Sequence, residues 1–353
     1  MQPFLSEQKG SLTLFSGLRK GVSAHKLVAA SDRPIAPFFS VARHIQLSAS
    51  MMLGRTGGAL FLVAASAVSA GAQTPADGLL MPKKVVSAGV VYAQDSWHEY
   101  WEGTLKRSNG NIGTLTTKST TFVAGYGVTD NLSLIATLPY VSTHASQGVL
   151  SDMQGVQDLT VTAKYRLLRL EPGRGLLSAF VVGTAAIPMS KYTPDFYPLS
   201  IGTGGGRASA RLTLNFQPTA GWFVTGSSAY TFCSNVRLAR NSYYTDGQLY
   251  MTNEVAMPNV LENSFSAGYR RGRWQLPLAL VQQRTLGGGD IRRQDMPFVS
   301  NRMDFTRIEG GVMYALNVPK DISLRLGAGR VVSGRNVGQS TTFSSGLFYA
   351  YHF

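Results

Sequence analysis

Asp158-Leu-Thr-Val-Thr-Ala-Lys-Tyr-Arg-Leu167 is the stretch whose reading decides the fold. Leu159, Val161, Ala163, Tyr165 and Leu167 take every second place, and Thr160, Thr162, Lys164 and Arg166 fill the gaps. A strand sends successive side chains to opposite faces, so this segment has one apolar face and one polar, partly charged face. The pattern recurs along the chain. Leu132, Leu134, Ala136, Leu138 and Tyr140 form an apolar set, as do Trp222, Val224, Gly226, Ser228, Tyr230 and Phe232, with mainly Thr, Ser and Ala between them. Ile322, Leu324, Leu326 and Ala328 alternate with Ser323, Arg325, Gly327 and Gly329. At the end of the chain Phe343, Leu347, Tyr349, Tyr351 and Phe353 oppose Ser344, Gly346 and Ala350.

A soluble β-sandwich alternates in the same way. Three features favour an antiparallel, up-and-down transmembrane β-barrel. The segments run for roughly ten residues or a little more, the length a tilted strand needs to cross a bilayer. Aromatic residues such as Tyr126, Tyr140, Tyr165, Trp222, Tyr269, Trp274 and Tyr314 collect toward strand ends, as interfacial girdles do. The polar face carries Gly, Ser, Thr, Arg and Gln, which a dry sandwich core would leave unpaired.

Composition agrees. Of 353 residues 44% are hydrophobic and only 15% charged, yet the mean hydropathy is +0.00. Aromatic and β-branched residues are too plentiful for intrinsic disorder. No segment reaches the roughly 20 apolar residues of a membrane-spanning helix. Cys233 stands alone, so no internal disulfide framework exists. Strict alternation explains an average of zero without long apolar runs.

The one sustained apolar stretch, Ala59 to Ala70, follows Arg55 and precedes Ala70-Gly-Ala-Gln73, which reads as a secretory signal peptide over 51–72. Residues 1–50 lack strand alternation and read as an upstream extension preceding a start at Met51 or Met52. Residues 73–84 form a short lead-in, too short for a large plug domain, and 85–353 form the barrel. Removing residues 1–72 takes away seven Lys/Arg and two Asp/Glu, which lowers the net charge from +14 to +9.

Connections alternate in length. Short ones lie at 127–131, 169–174, 217–221, 270–273 and 317–321, and long ones near 142–155, 189–203, 233–261, 286–301 and 333–339. Short turns belong to the periplasmic side of an outer-membrane barrel and long loops to the cell exterior. Counting back from Phe353 gives eleven strands to residue 117, and a long opening strand within 85–107 makes twelve. Fourteen result if Asp95–Tyr100 is a turn or if 243–257 contributes its own wall hairpin. Tyr349, Tyr351 and Phe353 form the alternating aromatic terminus expected of a signal for the barrel-assembly machinery. Loops 189–203 and 233–261 are long enough to fold inward.

Tyr126-Gly-Val-Thr-Asp-Asn-Leu-Ser-Leu-Ile-Ala-Thr-Leu-Pro-Tyr140 resembles a hairpin of the outer-membrane family named for the meta-pathway of phenol degradation. The matching positions are Tyr126, Gly127, Thr129, Asp130, Pro139 and Tyr140. Gly155-Val-Gln-Asp-Leu-Thr-Val-Thr-Ala-Lys-Tyr165 resembles the strand that follows, at Gly155, Asp158, Lys164 and Tyr165, with Gln157 replacing the usual Gly. Ala186-Ile-Pro-Met-Ser190 is a degraded form of a third element. The resemblance covers 85–353. It implies a transporter-like outer-membrane barrel associated with aromatic-compound catabolism.

Chemistry-bearing residues are sparse, and an enzyme is not expected. His144, Ser146 and Asp152 share one external loop, but loop composition often produces such a triple. Gly202-Thr-Gly-Gly-Gly206 and Gly287-Gly-Gly-Asp290 lack the Lys-Ser/Thr of a phosphate cradle. No grouping has metal-ligand spacing, and no cofactor is implied. The phasing turns Lys164, Arg166, Arg211, Arg307 and Arg325 inward, with Glu309, Asn215, Gln275 and Gln283. This predicts either an anion-leaning passage for a carboxylated or phenolate-like solute, or a cross-barrel ladder that fills the interior. Lys191, Arg284, Arg292, Arg293, Arg302 and Arg335 fall near strand tops, where lipopolysaccharide phosphates are the expected partners. Scattered charge on an exported chain argues against nucleic-acid binding. Two readings therefore stand: a channel for small solutes, and a closed structural or interaction barrel acting through its loops.

Overall fold

The computed structural model describes residues 73–292 and 297–353. The signal peptide and the upstream extension lie outside the described residues, as does Arg293. Twelve long strands form the wall: β1 (Val85–Trp97), β2 (Leu115–Thr129), β3 (Leu132–Ala145), β4 (Asp158–Leu170), β5 (Gly175–Pro188), β6 (Arg207–Pro218), β7 (Trp222–Cys233), β8 (Val260–Arg271), β9 (Trp274–Thr285), β10 (Asp304–Ala315), β11 (Ile322–Arg335) and β12 (Thr341–His352). Each pairs antiparallel with its neighbour in sequence, and β1 pairs with both β2 and β12. The pairing runs from Val85 opposite His352 to Ser96 opposite Thr341. The sheet is therefore closed, and no edge is left to hydrogen-bond in a medium without water.

The opening strand is shorter than the sequence suggested. It ends at Trp97, and Glu99–Glu102 and Leu105–Ser108 form a separate hairpin outside the wall. Tyr243–Thr245 and Gln248–Tyr250 also form a hairpin, again outside the wall sheet. The hairpin suspected within 243–257 is thus real but belongs to a loop, whereas Asp95–Tyr100 is not a turn, since the small hairpin reverses at 103–104; the wall keeps twelve strands. Periodicity alone does not say whether a short alternating stretch reaches the neighbouring wall strand.

The apolar sets face outward. Leu326, Leu278, Phe122 and Leu214 are each more than half exposed. Such an apolar belt would drive aggregation in water and is what lipid covers. Inward positions include Ser133, Thr162, Thr213 and Asn215, which are almost fully buried. Register breaks occur at Gly127/Thr129, Arg166/Leu168 and Thr306/Arg307, so strict alternation slips by one residue at each.

Asp130–Asn131, 171–174, 219–221 and 272–273 are the tight connections, with 316–321 slightly longer. They share an end with Lys84, whose N–H meets the Gly127 carbonyl, and with Phe353, whose N–H meets the Lys84 carbonyl. By the outer-membrane rule this is the periplasmic end. At the other end the long connections interlock. Leu238, Tyr243, Val255 and Val299 pack with Tyr197 and Phe298, which joins three loops. Ile112, Leu115 and Leu199 pack with Ala145 and Leu150, which joins another three segments. Asn336, buried at φ 55°, receives the Gly103 N–H (2.7 Å) and the Ile291 N–H (3.2 Å) on its Oδ1 and donates to Asp290 Oδ1 (2.7 Å).

Candidate functional site: a lumen divided by the N-terminal segment

The lead-in is not a passive tether. Residues 74–82 run inside the barrel, and the wall is built to hold them. Lys164 points inward from β4 and is wholly buried. Its ammonium donates to the Thr74 carbonyl (3.0 Å), the Asp77 carbonyl (2.7 Å) and Asp77 Oδ1 (2.7 Å). A buried Lys without a carboxylate would be costly, so the pair and its two carbonyls fix where the segment sits. Burial alone would raise the Asp77 pKa, but the Lys164 charge and the N–H groups of Thr74 and Leu79 hold it below its ordinary value. Ser133 Oγ accepts the Met81 N–H at 3.0 Å.

Two glycines show how close the fit is. A Cβ on Gly127 would lie 1.8 Å from the Pro82 carbonyl oxygen, and one on Gly78 would lie 2.1 Å from Asn215. The family-motif Gly127 is therefore needed for the segment to pass. The sequence reading missed this because residues 73–84 carry neither alternation nor a turn signal. The available cue was Lys164, a charge that follows Thr160 and Thr162 on the inner face, well inside the strand.

The segment fills the side of the lumen lined by β3–β6. Against β8–β12 the inner side chains are small, among them Ser264, Ser266, Ala279, Gly311, Gly327, Gly329 and Ser344, and a cavity of about 270 Å³ remains there. Asp77, Glu262, Arg270, Arg307, Glu309 and Arg325 reach it, beside Phe223 and Met313.

The inward residues chosen from sequence divide by what they touch. Arg325 and Gln275 line the cavity. Arg307 and Glu309 line it as an ion pair at 3.1 Å. Arg211 is held by Glu262 at 2.6 Å and by Ser227, and Gln283 bonds the Met303 carbonyl. Arg166 is committed to the β2–β3 turn, donating to Asn131 Oδ1 (2.9 Å) and the Asp130 carbonyl (2.6 Å). Lys164 is consumed by Asp77. The basic interior is thus largely paired. Arg270, in a link first read only as a short turn, instead stands between this cavity and a second one of about 860 Å³ at the periplasmic mouth.

Other motif positions also have structural partners. Asp158, buried, takes Arg207 at 2.7 Å and the Tyr192 hydroxyl at 2.6 Å, which ties the β5–β6 loop to the wall. Pro139 accepts the Gln157 N–H at 2.8 Å, and Gly155 faces Ile201 of that loop. Tyr126, Tyr140, Tyr165, Tyr349 and Tyr351 are exposed on the outer wall. Of the loop triple, His144 and Asp152 pair at 2.7 Å, whereas Ser146 Oγ accepts the Thr114 N–H. Arg335 and Arg302 pair with Asp290 and Asp304. Lys191 and Arg284 remain exposed.

The sequence of residues 106–346 matches the family model described as "Putative MetA-pathway of phenol degradation". The chain belongs to this family. The match spans all of β2–β11 and stops within β12. No curated protein matches the sequence. Among solved structures, the COG4313 outer membrane channel from Pseudomonas putida F1 is similar with a TM-score of 0.61 at 17% identity, over 79% of this chain and 100% of that one. The translocator domain of the autotransporter NalP from Neisseria meningitidis reaches 0.42 at 13% identity, over 76% and 88%. At these identities the likeness is one of fold: a closed antiparallel β-barrel.

Proposed function

We propose that this protein is a non-enzymatic outer-membrane passage for small solutes, favouring those with a carboxylate or phenolate group. The observation that carries this reading is the roughly 270 Å³ cavity inside the wall, where Arg325 and the Arg307–Glu309 pair stand beside Phe223 and Met313. Such a cavity suits one small ring with an anionic group better than a sugar, which needs many hydrogen-bond partners. The likeness to an outer-membrane channel and the family's association with phenol degradation point the same way. In this reading residues 51–72 direct export, Tyr349, Tyr351 and Phe353 engage the barrel-assembly machinery, and Lys191 and Arg284 face lipopolysaccharide.

Liposome swelling tests the proposal, with phenolic acids set against neutral sugars of similar mass. Faster entry of the acids is expected, and Arg325→Gln should remove most of the difference. Equal exclusion of both solutes would sink the passage. It would favour the second reading, a closed barrel that acts through its loops, for which the segment in the lumen and the interlocked outer connections speak.

A further inference from the structure

The periplasmic mouth carries an anion site of its own. Its cavity, about 860 Å³, lies between the β4–β5, β6–β7 and β8–β9 turns and the lumen segment. Arg166, Arg169, Arg174, Arg271 and Arg273 surround it, against Asp130 and Glu171. Among the described residues, Arg169 alone of these five has a carboxylate within 4.0 Å. Leu79, Met81, Phe180 and Met313 line its inner part, together with Ser178, Asn215, Gln217 and Gln275. A recess with a cationic rim and a partly apolar floor suits a small amphipathic anion, since the rim raises local anion concentration and the floor takes the body.

Arg270 supplies the seat. Its Nη1 donates to Gln217 Oε1 at 2.8 Å, and the guanidinium lies 4.4 Å from the Phe223 ring centre. These contacts fix the plane. Nε and Nη2 are buried and have no hydrogen-bond partner among the described residues. An unpaired buried N–H is costly, and here two stand unpaired on one guanidinium. They are also the two nitrogens of one edge, the edge that grips a carboxylate with parallel hydrogen bonds. Arg270 and Gln275 line both this cavity and the inner one. We propose that the periplasmic vestibule binds a small organic carboxylate on an apolar body, with the Arg270 Nε–Nη2 edge holding the carboxylate. This deepens the passage reading and rests on it for the solute's route, but binding is measurable without transport.

The test is calorimetric titration of the folded full-length protein in detergent micelles at low salt, with benzoate and its neutral counterpart benzamide. Benzoate should bind saturably and benzamide at least tenfold more weakly. Arg270→Gln should weaken benzoate at least tenfold, with folding checked by heat-dependent gel mobility. Arg270→Lys keeps the charge and loses the paired edge, so it should weaken benzoate several-fold and serves if the Gln variant does not fold. Equal binding of benzoate and benzamide, no saturable benzoate binding, or unchanged binding in the folded variants would overturn the site. Solute-selective swelling without Arg270-dependent binding would leave the passage and remove the site. Binding without swelling would do the reverse.

Discussion

The two ends of the barrel handle charge in opposite ways. At the outer end six Lys and Arg side chains (Lys106, Arg107, Arg207, Arg240, Arg302 and Arg335) each have a carboxylate within 4.0 Å. At the periplasmic end Lys83, Lys84, Lys320 and the six arginines of the vestibule outnumber Asp130, Glu171 and Asp321, with Asp77 beside Arg270 in the inner cavity. Most of the surplus positive charge of residues 73–353 therefore sits at the inner mouth, rather than on the lumen wall and the outer rim, the two places the sequence suggests. Loops that interlock must neutralise their charges as they desolvate them, whereas a solvated vestibule need not. The outer end is thus organised to hold together, and the inner end to attract anions.

The sharpest way to break this contrast is at the Lys164–Asp77 pair, whose ammonium is wholly buried. Asp77→Asn leaves the Lys164 ammonium buried without its counter-charge, and loss of one partner from such a pair costs about 3–5 kcal/mol. Urea unfolding in micelles should register part of that loss. The lumen segment should leave its seat, raising single-channel conductance several-fold. Lys164→Met combined with Asp77→Asn should recover most of the stability. Wild-type conductance and stability in Asp77→Asn would show that the segment is not held by this pair.

Gly127→Ala attacks the same segment without touching charge. The new methyl must push the Pro82 carbonyl aside, and overpacking of that kind costs about 1–3 kcal/mol. Protease cleavage within 73–84 should accelerate while the wall stays intact.

These two positions also show what the sequence could tell. Alternation exposed the twelve strands, the outward belt and the inward polar set, because a closed sheet imposes a period of two on every residue it contains. Orientation followed from connection length. The site was less legible. Lys164 and Arg166 were correctly phased inward, yet one is consumed by Asp77 and the other by the turn at Asp130–Asn131. Phase says which face a side chain takes and nothing of what it meets across the lumen. Arg270 was hidden for a related reason. Arg270-Arg-Gly-Arg273 reads as a polar turn, and its first residue is a wall residue of β8.

Acid should act on the inner end at a predictable point. The folded-state pKa of Asp77 is depressed, so its pairing stabilises the seated segment above the ordinary carboxylate value of 3.8 and is lost as pH falls through the lower folded value. Conductance of the wild-type protein should stay flat from pH 7 to about 5 and rise only below about 4. A rise already complete at pH 5 would mean that another group holds the segment.

The smallest effect is expected where the chemistry looks most similar. Arg335 and Asp290 form a two-pronged pair at 2.8 and 2.6 Å, as short as Lys164–Asp77. Both its side chains are more than a third exposed, however, at 35% and 38%. Exposed pairs are screened by solvent and salt and contribute about 0–1 kcal/mol. The Arg335→Ala variant should therefore lose no more than about 1 kcal/mol in urea, and the loss should shrink further in high salt. Asn336 still joins Gly103, Ile291 and Asp290, so the outer loops should keep their resistance to protease. A loss as large as that of Asp77→Asn would mean that the outer end also depends on a desolvated charge, and the contrast between the two mouths would then be one of position and not of design.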